Sequence, residues 1–285
     1  MKTAFLMALM TALLMLIGDF FGGIKGMTFM LLVSIGMNFF AYWNSDKMVL
    51  AHYNAQQVDE RTAPELYGLV AKLAKKANLP MPKVYIIDSP IPNAFATGRD
   101  PEHAAVAVNS SLVDLLSRDE IEGVLAHELS HVKNRDILVS TIAATMAGAI
   151  STIAQWGMFL GGGRDEDGES RNPIASILVM LLAPLAAMLI QMAVSRSREY
   201  MADKSGGEIC GNPDALADAL LKLEAYSRRG VMPAATEATA HMFIVNPFTA
   251  ADVQKMFSTH PSTEERVRLL RQQAQEMRNQ KRGNL

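Results

Sequence analysis

The sequence predicts a mainly α-helical membrane protein that carries an α+β part with a small β-sheet on one side of the bilayer. Three observations predict it. The apolar residues, 49% of the 285, are gathered into four blocks. The segments between and after those blocks have the periodicities of short strands and amphipathic helices. A His pair spaced for one helix face stands just before the third block.

The first block covers residues 3–18, with Phe20 and Phe21 extending it, and the second covers 27–43. Neither holds an internal charge, and each is near the lower limit of the about 17–25 residues that span a hydrocarbon core. The short turn 19–26 makes residues 1–43 a helical hairpin. Lys2 would also suit the start of a cleaved signal peptide. The second block follows at once, however, with no small-x-small cleavage site between the two.

Residues 44–136 form the first part of the α+β unit. Leu66, Leu69, Val70, Leu73 and Ala74 recur at helical spacing in 63–76. Thr62 and Glu65 fit a capping box at its start. Residues 83–88 and 104–109 read as strands, with a third, shorter one within 92–98. Ser117 and Glu120 form a second capping box. It opens a helix with Ile121, Val124, Leu125, Leu129 and Val132 on its apolar side.

Residues 137–194 read as a second hairpin. The third block, 137–161, is uncharged but includes Ser140, Thr141, Thr145, Ser151, Thr152 and Gln155. The fourth is 174–194, and the polar loop 161–173 lies between them. Lengths of roughly 20 residues favour membrane spans over buried core helices. The polar residues of the third block suit packing inside the bundle or partly outside lipid. In 195–285, Asn212-Pro213 marks a helix start. Ser262 and Glu265 make a further capping box for a terminal helix through Arg278.

Orientation follows from Lys and Arg. The two hairpin loops hold Lys25, Arg164 and Arg171. The other side holds Lys2, Lys47, Lys133, Arg135, Arg196, Arg198 and Lys204. The second side is therefore expected to be cytoplasmic, together with both soluble parts. A net charge of −2 without a basic stripe gives no reason to expect nucleic acid. The single cysteine, Cys210, excludes an internal disulfide framework and a Cys-rich metal site. The 19 Met residues sit largely in or near the apolar blocks and read as packing residues.

His127-Glu128-Leu129-Ser130-His131 lies on the helix opened by Ser117. Residues i and i+4 leave the same helix face, so both imidazoles can reach one zinc ion. Glu128 can reach a water on that ion and take its proton. The pentapeptide alone also occurs by chance on surface helices. A third ligand is offered by Glu199, which a hairpin through the membrane returns to the height of His131. Asp203, four residues on, shares the face of Glu199 and is placed to orient a zinc-binding His. A solvated pair with Arg196 or Arg198 is the plainer reading of Glu199 and Asp203. His131 precedes Ile137 by six residues, roughly 9 Å along a continuous helix, so the metal is expected near the bilayer surface.

His127-Glu128-x-x-His131, Glu199-x-x-x-Asp203, the four apolar blocks and Asn93-Ala94-Phe95-Ala96-Thr97-Gly98 together resemble the HtpX-type membrane zinc metalloproteases. Those proteins are relatives of the CAAX-processing zinc endopeptidases. The resemblance covers essentially the whole chain. It implies a gluzincin-like site with one zinc ion, a bacterial inner-membrane location, and quality control of membrane or unfolded polypeptides under stress. It also implies that 93–98 is an edge strand holding an extended substrate. Thr259-His260-Pro261 with Glu265-Arg266 is similar to the family's C-terminal motif, which supplies His260 and Arg266 as groups near the oxyanion. From the residues alone, His260 is a lone His before a capped helix. His52, His103 and His241 carry no metal argument.

Two rival functions are a non-enzymatic, zinc-stabilised membrane adaptor or chaperone, and a channel or transporter. The first has no use for Glu128. The second lacks the charged residues inside its spans that ion pathways commonly need.

Overall fold

The computed structural model describes residues 2–142, 196–228, 244 and 261–283. Helix α1 (Lys2–His52) is two helical arms joined across a kink at Gly23, where φ is 57° and ψ −148°. That conformation is open to glycine because it has no Cβ. The arms fold back on each other. Asn38 Nδ2 donates to Met7 O at 3.3 Å and to Thr11 Oγ1 at 3.0 Å, across the hairpin. A Cβ on Gly18 would stand 2.4 Å from Gly26 O, so the arms meet backbone to backbone there.

The hairpin therefore forms as expected, but its second arm outruns the apolar block and continues to His52. Gly22–His52 is long and apolar enough to cross a membrane, whereas the first arm holds the shorter apolar stretch Met7–Leu16. Phe29, Leu32, Phe39 and Phe40 are exposed along the second arm. Residues 137–142, the start of the third block, are helical. The rest of that block, the loop 161–173 and the fourth block lie outside the described residues, so two of the four expected spans do as well.

The small sheet has the order β1-β2-β4-β3. Its strands are β1 (Gln56–Val58), β2 (Lys83–Ile87), β3 (Ala94–Gly98) and β4 (Ala104–Asn109). β2 runs parallel to β4, and β3 antiparallel to it. Both faces are covered, which is why β2 and β4 read as nearly continuous apolar runs. Val84, Ala94, Val106 and Val108 face the main core with helix α2 (Pro64–Ala77). Ile87, Phe95, Ala105 and Ala107 face the other way and pack on Val49 and Leu50 of α1. The end of the apolar hairpin is thus built into the sheet.

Helix α3 (Ser110–Leu115) and β1 were not expected from the sequence. Helix α4 (Arg118–Lys133) opens with the expected capping box, Ser117 and Glu120 bonding reciprocally. The box expected at Thr62 is absent. The N-cap of α2 is Ala63, with no side-chain bond. Thr62 instead closes a tight turn with Asp59, whose Oδ1 accepts from the Thr62 N–H at 2.9 Å. Pro64 at the first helical position presets the helix without a cap.

Helices α5 (Arg196–Cys210), α6 (Pro213–Ser227) and α7 (Thr263–Gly283) complete the described chain. Asn212 stands at the α6 N-cap without a side-chain bond. At α7, Ser262 Oγ accepts from the Glu265 N–H at 3.3 Å, while the Glu265 carboxylate pairs with Arg268. That box is one-sided, and the helix runs beyond 278 to Gly283. α4 packs against α2, β3, α5 and α6 and is the central element of the domain.

Candidate active site

α4 is held on several sides before any polar group is considered. Val124, Leu125, Leu129 and Val132 are buried in the core, and Gly123 lets the backbone of α6 approach at Leu216. α5 comes equally close on another side. A Cβ on Gly206 would lie 2.9 Å from His127 N, so the two helices touch through glycine. Gly206 lies seven residues beyond Glu199, two helical turns on and on the same face. The close approach therefore also delivers Glu199 and Asp203 to α4.

At that contact the donor atoms of His127, His131 and Glu199 lie within 4.8 Å of one another. His127 Nε2 and His131 Nε2 are 3.2 Å apart. The Glu199 oxygens lie 3.7 Å from His127 Nε2 and 3.6 Å from His131 Nε2. Donors in a tetrahedral zinc site with bonds of about 2.0–2.1 Å stand about 3.3 Å apart. Each ring's other nitrogen faces a carboxylate. His127 Nδ1 is 2.9 Å from Asp203 Oδ1, and His131 Nδ1 is 3.1 Å from Asp136 Oδ2. Carboxylates there favour a proton on Nδ1, leaving both Nε2 lone pairs aimed at one point. A cation resolves that repulsion, so the residues present fit a zinc ion.

The charges agree. Burial disfavours protonation of His131, but without a metal the Asp136 hydrogen bond and the fields of Glu199, Asp136 and Glu128 outweigh it and raise its pKa to about 9, so a cation binding there takes the place of a proton on Nε2. This surplus of negative charge is what a divalent cation neutralises. Glu128 is buried, and that burial raises its pKa against the opposing pull of the two histidines and of the Ala96 N–H. An elevated carboxyl pKa suits a group that takes and returns a proton near neutral pH.

Glu128 Oε2 accepts from the Ala96 N–H of β3 at 2.9 Å. β3 is one of the sheet's two edge strands, at the end opposite β1. Asn93 O accepts from Asn109 N, and the antiparallel register then turns Phe95 and Thr97 to β4 as well. The main-chain groups of Ala94, Ala96 and Gly98 point to the free edge instead. The side chains of this segment are otherwise committed. Asn93 Oδ1 accepts from the Ile244 N–H at 3.2 Å, Phe95 packs on Tyr53, and Thr97 bonds Thr141. What the edge offers is backbone.

Five of the expected residues, His127, Glu128, His131, Glu199 and Asp203, therefore meet in one place. Arg266 is close but sits behind them. It is fully buried, with Nε and Nη2 each 2.7 Å from Asp203 and Nη1 donating to Ile244 O. Its Nη2 lies 4.0 Å from Glu199. His260 lies outside the described residues. The sequence reading missed Asp136 and Gly206. Asp136 could have been found as a carboxylate five residues after His131. Gly206 carried no signal beyond its spacing from Glu199.

Comparison with known proteins agrees with this geometry. The model of peptidase family M48 matches residues 60–274. The chain is 58% identical over 275 residues to a protease HtpX homolog of Burkholderia thailandensis, covering 96% of each. It is 59% identical over 268 residues to homologs of Burkholderia mallei and Burkholderia pseudomallei, covering 93% of this chain and 94% of theirs. Its fold is similar to the crystal structure of S. mikatae Ste24p, with a TM-score of 0.53 at 19% identity. That match covers 91% of this chain and 62% of the other. The chain belongs to peptidase family M48 and is a metalloprotease.

Proposed function

We propose that this M48 protease is a membrane-anchored zinc endopeptidase of the HtpX type, in which His127, His131 and Glu199 hold the metal and Glu128 moves the proton. One observation carries the reading. Three donor atoms converge on a point, two of them backed by carboxylates, and a fourth acidic group beside them is left out of the cluster. Bound there, zinc supplies a Lewis acid that polarises a peptide carbonyl and makes water acidic near neutral pH. Glu128 takes the proton of the attacking water and passes it to the leaving nitrogen. Asp203 and Asp136 fix the imidazole tautomers. The free edge of β3 holds the substrate backbone as an added strand at Ala94 and Ala96.

Arg266 acts through Asp203 in this reading rather than by touching substrate. His260 keeps the role near the oxyanion that the family resemblance implies. The hairpin anchors the protein in this reading, and the excess of Lys and Arg on the other side supports an active site facing the cytoplasm at a bacterial inner membrane. Substrates are unfolded or membrane polypeptides presented near the lipid, in quality control. The adaptor reading has no use for a proton carrier beside the metal.

The test uses detergent-solubilised protein. The parent should hold about one zinc per chain and cleave an unfolded polypeptide, with chelator abolishing cleavage. Glu128→Gln should retain the zinc and lose at least ~100-fold in kcat. Near-normal turnover by Glu128→Gln would sink the assignment.

A further inference from the structure

Between the metal helix and the third apolar block the chain makes a short break. α4 ends at Lys133, Arg135 takes a left-handed φ of 58°, and a new helix starts at residue 137. The two elements abut rather than form one rod. The residue at the break is Asp136. Its carbonyl accepts from Ser140 N at 3.4 Å and so opens the new helix, and its own N–H donates to His131 O at 3.2 Å. An Asp at a helix start ordinarily turns its carboxylate onto that helix's free N–H groups. Here both carboxylate oxygens lie 3.1–3.2 Å from His131 Nδ1 instead. The group is buried.

One turn further along, the same helix makes a second polar contact. Thr141 is 1% exposed, and its hydroxyl donates to Ile137 O at 2.7 Å. With that proton committed, Thr141 Oγ1 is the acceptor for the Thr97 hydroxyl at 3.0 Å and for the Gly98 N–H at 3.4 Å. Both partners belong to β3. Asp136, the residue just before the third block, thus grips the metal helix, and Thr141, five residues into the block, grips the edge strand. Gly98 is the last residue of β3, so Thr141 also closes the free edge at that end.

We propose that Asp136 and Thr141 are positioning residues. Asp136 orients His131 for the metal, and Thr141 sets the β3 edge that receives the substrate, so that the start of the third apolar block holds both halves of the site in register. This rests on the zinc reading of the site and deepens it. A shift of that block relative to α4 would turn a ligand and move the substrate strand together. A loss of one acceptor oxygen behind a ligand His typically lowers metal affinity 10–100-fold.

The experiment measures zinc affinity by competition with a chromophoric chelator, the absorption spectrum of the cobalt-loaded protein, and kcat and KM on an unfolded soluble polypeptide. Asp136→Ala should weaken zinc binding about 10–100-fold and alter the cobalt spectrum. Asp136→Asn, which keeps an acceptor oxygen, should recover part of both and carries the test if the alanine variant fails to fold. Thr141→Val should leave zinc affinity unchanged and raise KM roughly fivefold, the equivalent of one lost hydrogen bond. Thr141→Ser should restore it. Zinc affinity within twofold of the parent in Asp136→Ala, or an unchanged KM in Thr141→Val, would overturn the corresponding half. A parent that binds no zinc would instead refute the function proposed above, and this inference would fall with it.

Discussion

His127 and His131 stand one turn apart on α4, yet they are held in different ways. His127 is 1% exposed and lies where α4 and α5 touch through Gly206. Its Nδ1 faces Asp203, which is in turn clasped by Nε and Nη2 of the buried Arg266. His131 has a side chain 17% exposed and lies at the end of the helix. Its partner, Asp136, comes from the next element, a few residues along the chain. One imidazole is fixed by the same contacts that hold the domain together. The other is fixed by a junction with the apolar part. Damage on the first side should therefore unfold the protein, and damage on the second should spare the fold and affect the metal.

The largest expected effect is on the His127 side. Arg266→Ala leaves the buried Asp203 carboxylate unpaired, which costs about 3–5 kcal/mol. Thermal melting in detergent should show a lowered midpoint or no folded protein, whereas Asp136→Ala should melt near the parent when both are metal-free. Equal melting of the two variants would break the comparison.

Acid should probe the same pair. Burial opposes ionisation of Asp203, but the charge and hydrogen bonds of Arg266 and the His127 contact prevail and hold its pKa at about 2, below the ordinary 3.8. The folded value is depressed, so this stabilisation is fully present above pH 3.8 and is lost as pH falls through 2. The shift corresponds to roughly 2 kcal/mol. Unfolding followed from pH 5 to 2 in chelator should steepen in that window for the parent and flatten for Asp203→Asn. Identical slopes would remove Asp203 from the account.

The smallest effect should come from Gly206→Ala. Its methyl would meet His127 N at 2.9 Å, where no helix backbone can yield locally. Overpacking of this kind costs about 1–3 kcal/mol. Because α5 carries Glu199, zinc affinity should fall along with the melting midpoint. A lowered midpoint with unchanged affinity would show that Glu199 follows α5 less rigidly than the contact implies.

The parts of this site that were legible in the sequence are those set by local spacing. His127, Glu128 and His131 needed only the helical period, and Ser117 with Glu120 announced where that helix begins. Glu199 and Asp203 were found because two apolar blocks of similar length imply a return to the same height. The short strand within 92–98 was read from its residues, but its place at the edge was named only through the family pattern, since spacing within one strand does not show which neighbours it pairs with. Thr62 misled because Asp59, three residues earlier, competes for the same hydroxyl, and nothing in the spacing shows which wins. Asp136 was passed over because it follows the helix end, where a left-handed Arg135 turns the chain back on His131. A reading by helical period cannot see that turn.

The second arm of α1 does not stop where its apolar stretch stops. It continues as a single helix from the Gly23 kink to His52, its last turns lie beneath Phe95 of β3, and Arg99 at the strand's end stacks 4.5 Å over the Trp43 ring. The arm therefore acts as a gauge rod between the hairpin and the β3 edge, fixing height and heading at once. Helical geometry makes those two settings inseparable. One residue added between Trp43 and Val49 would lift the sheet by about 1.5 Å but swing it through about 100°. A chain built this way cannot drift gradually towards a longer reach. Only additions close to whole turns, about 5.4 Å at a step, would return the edge strand to its original bearing.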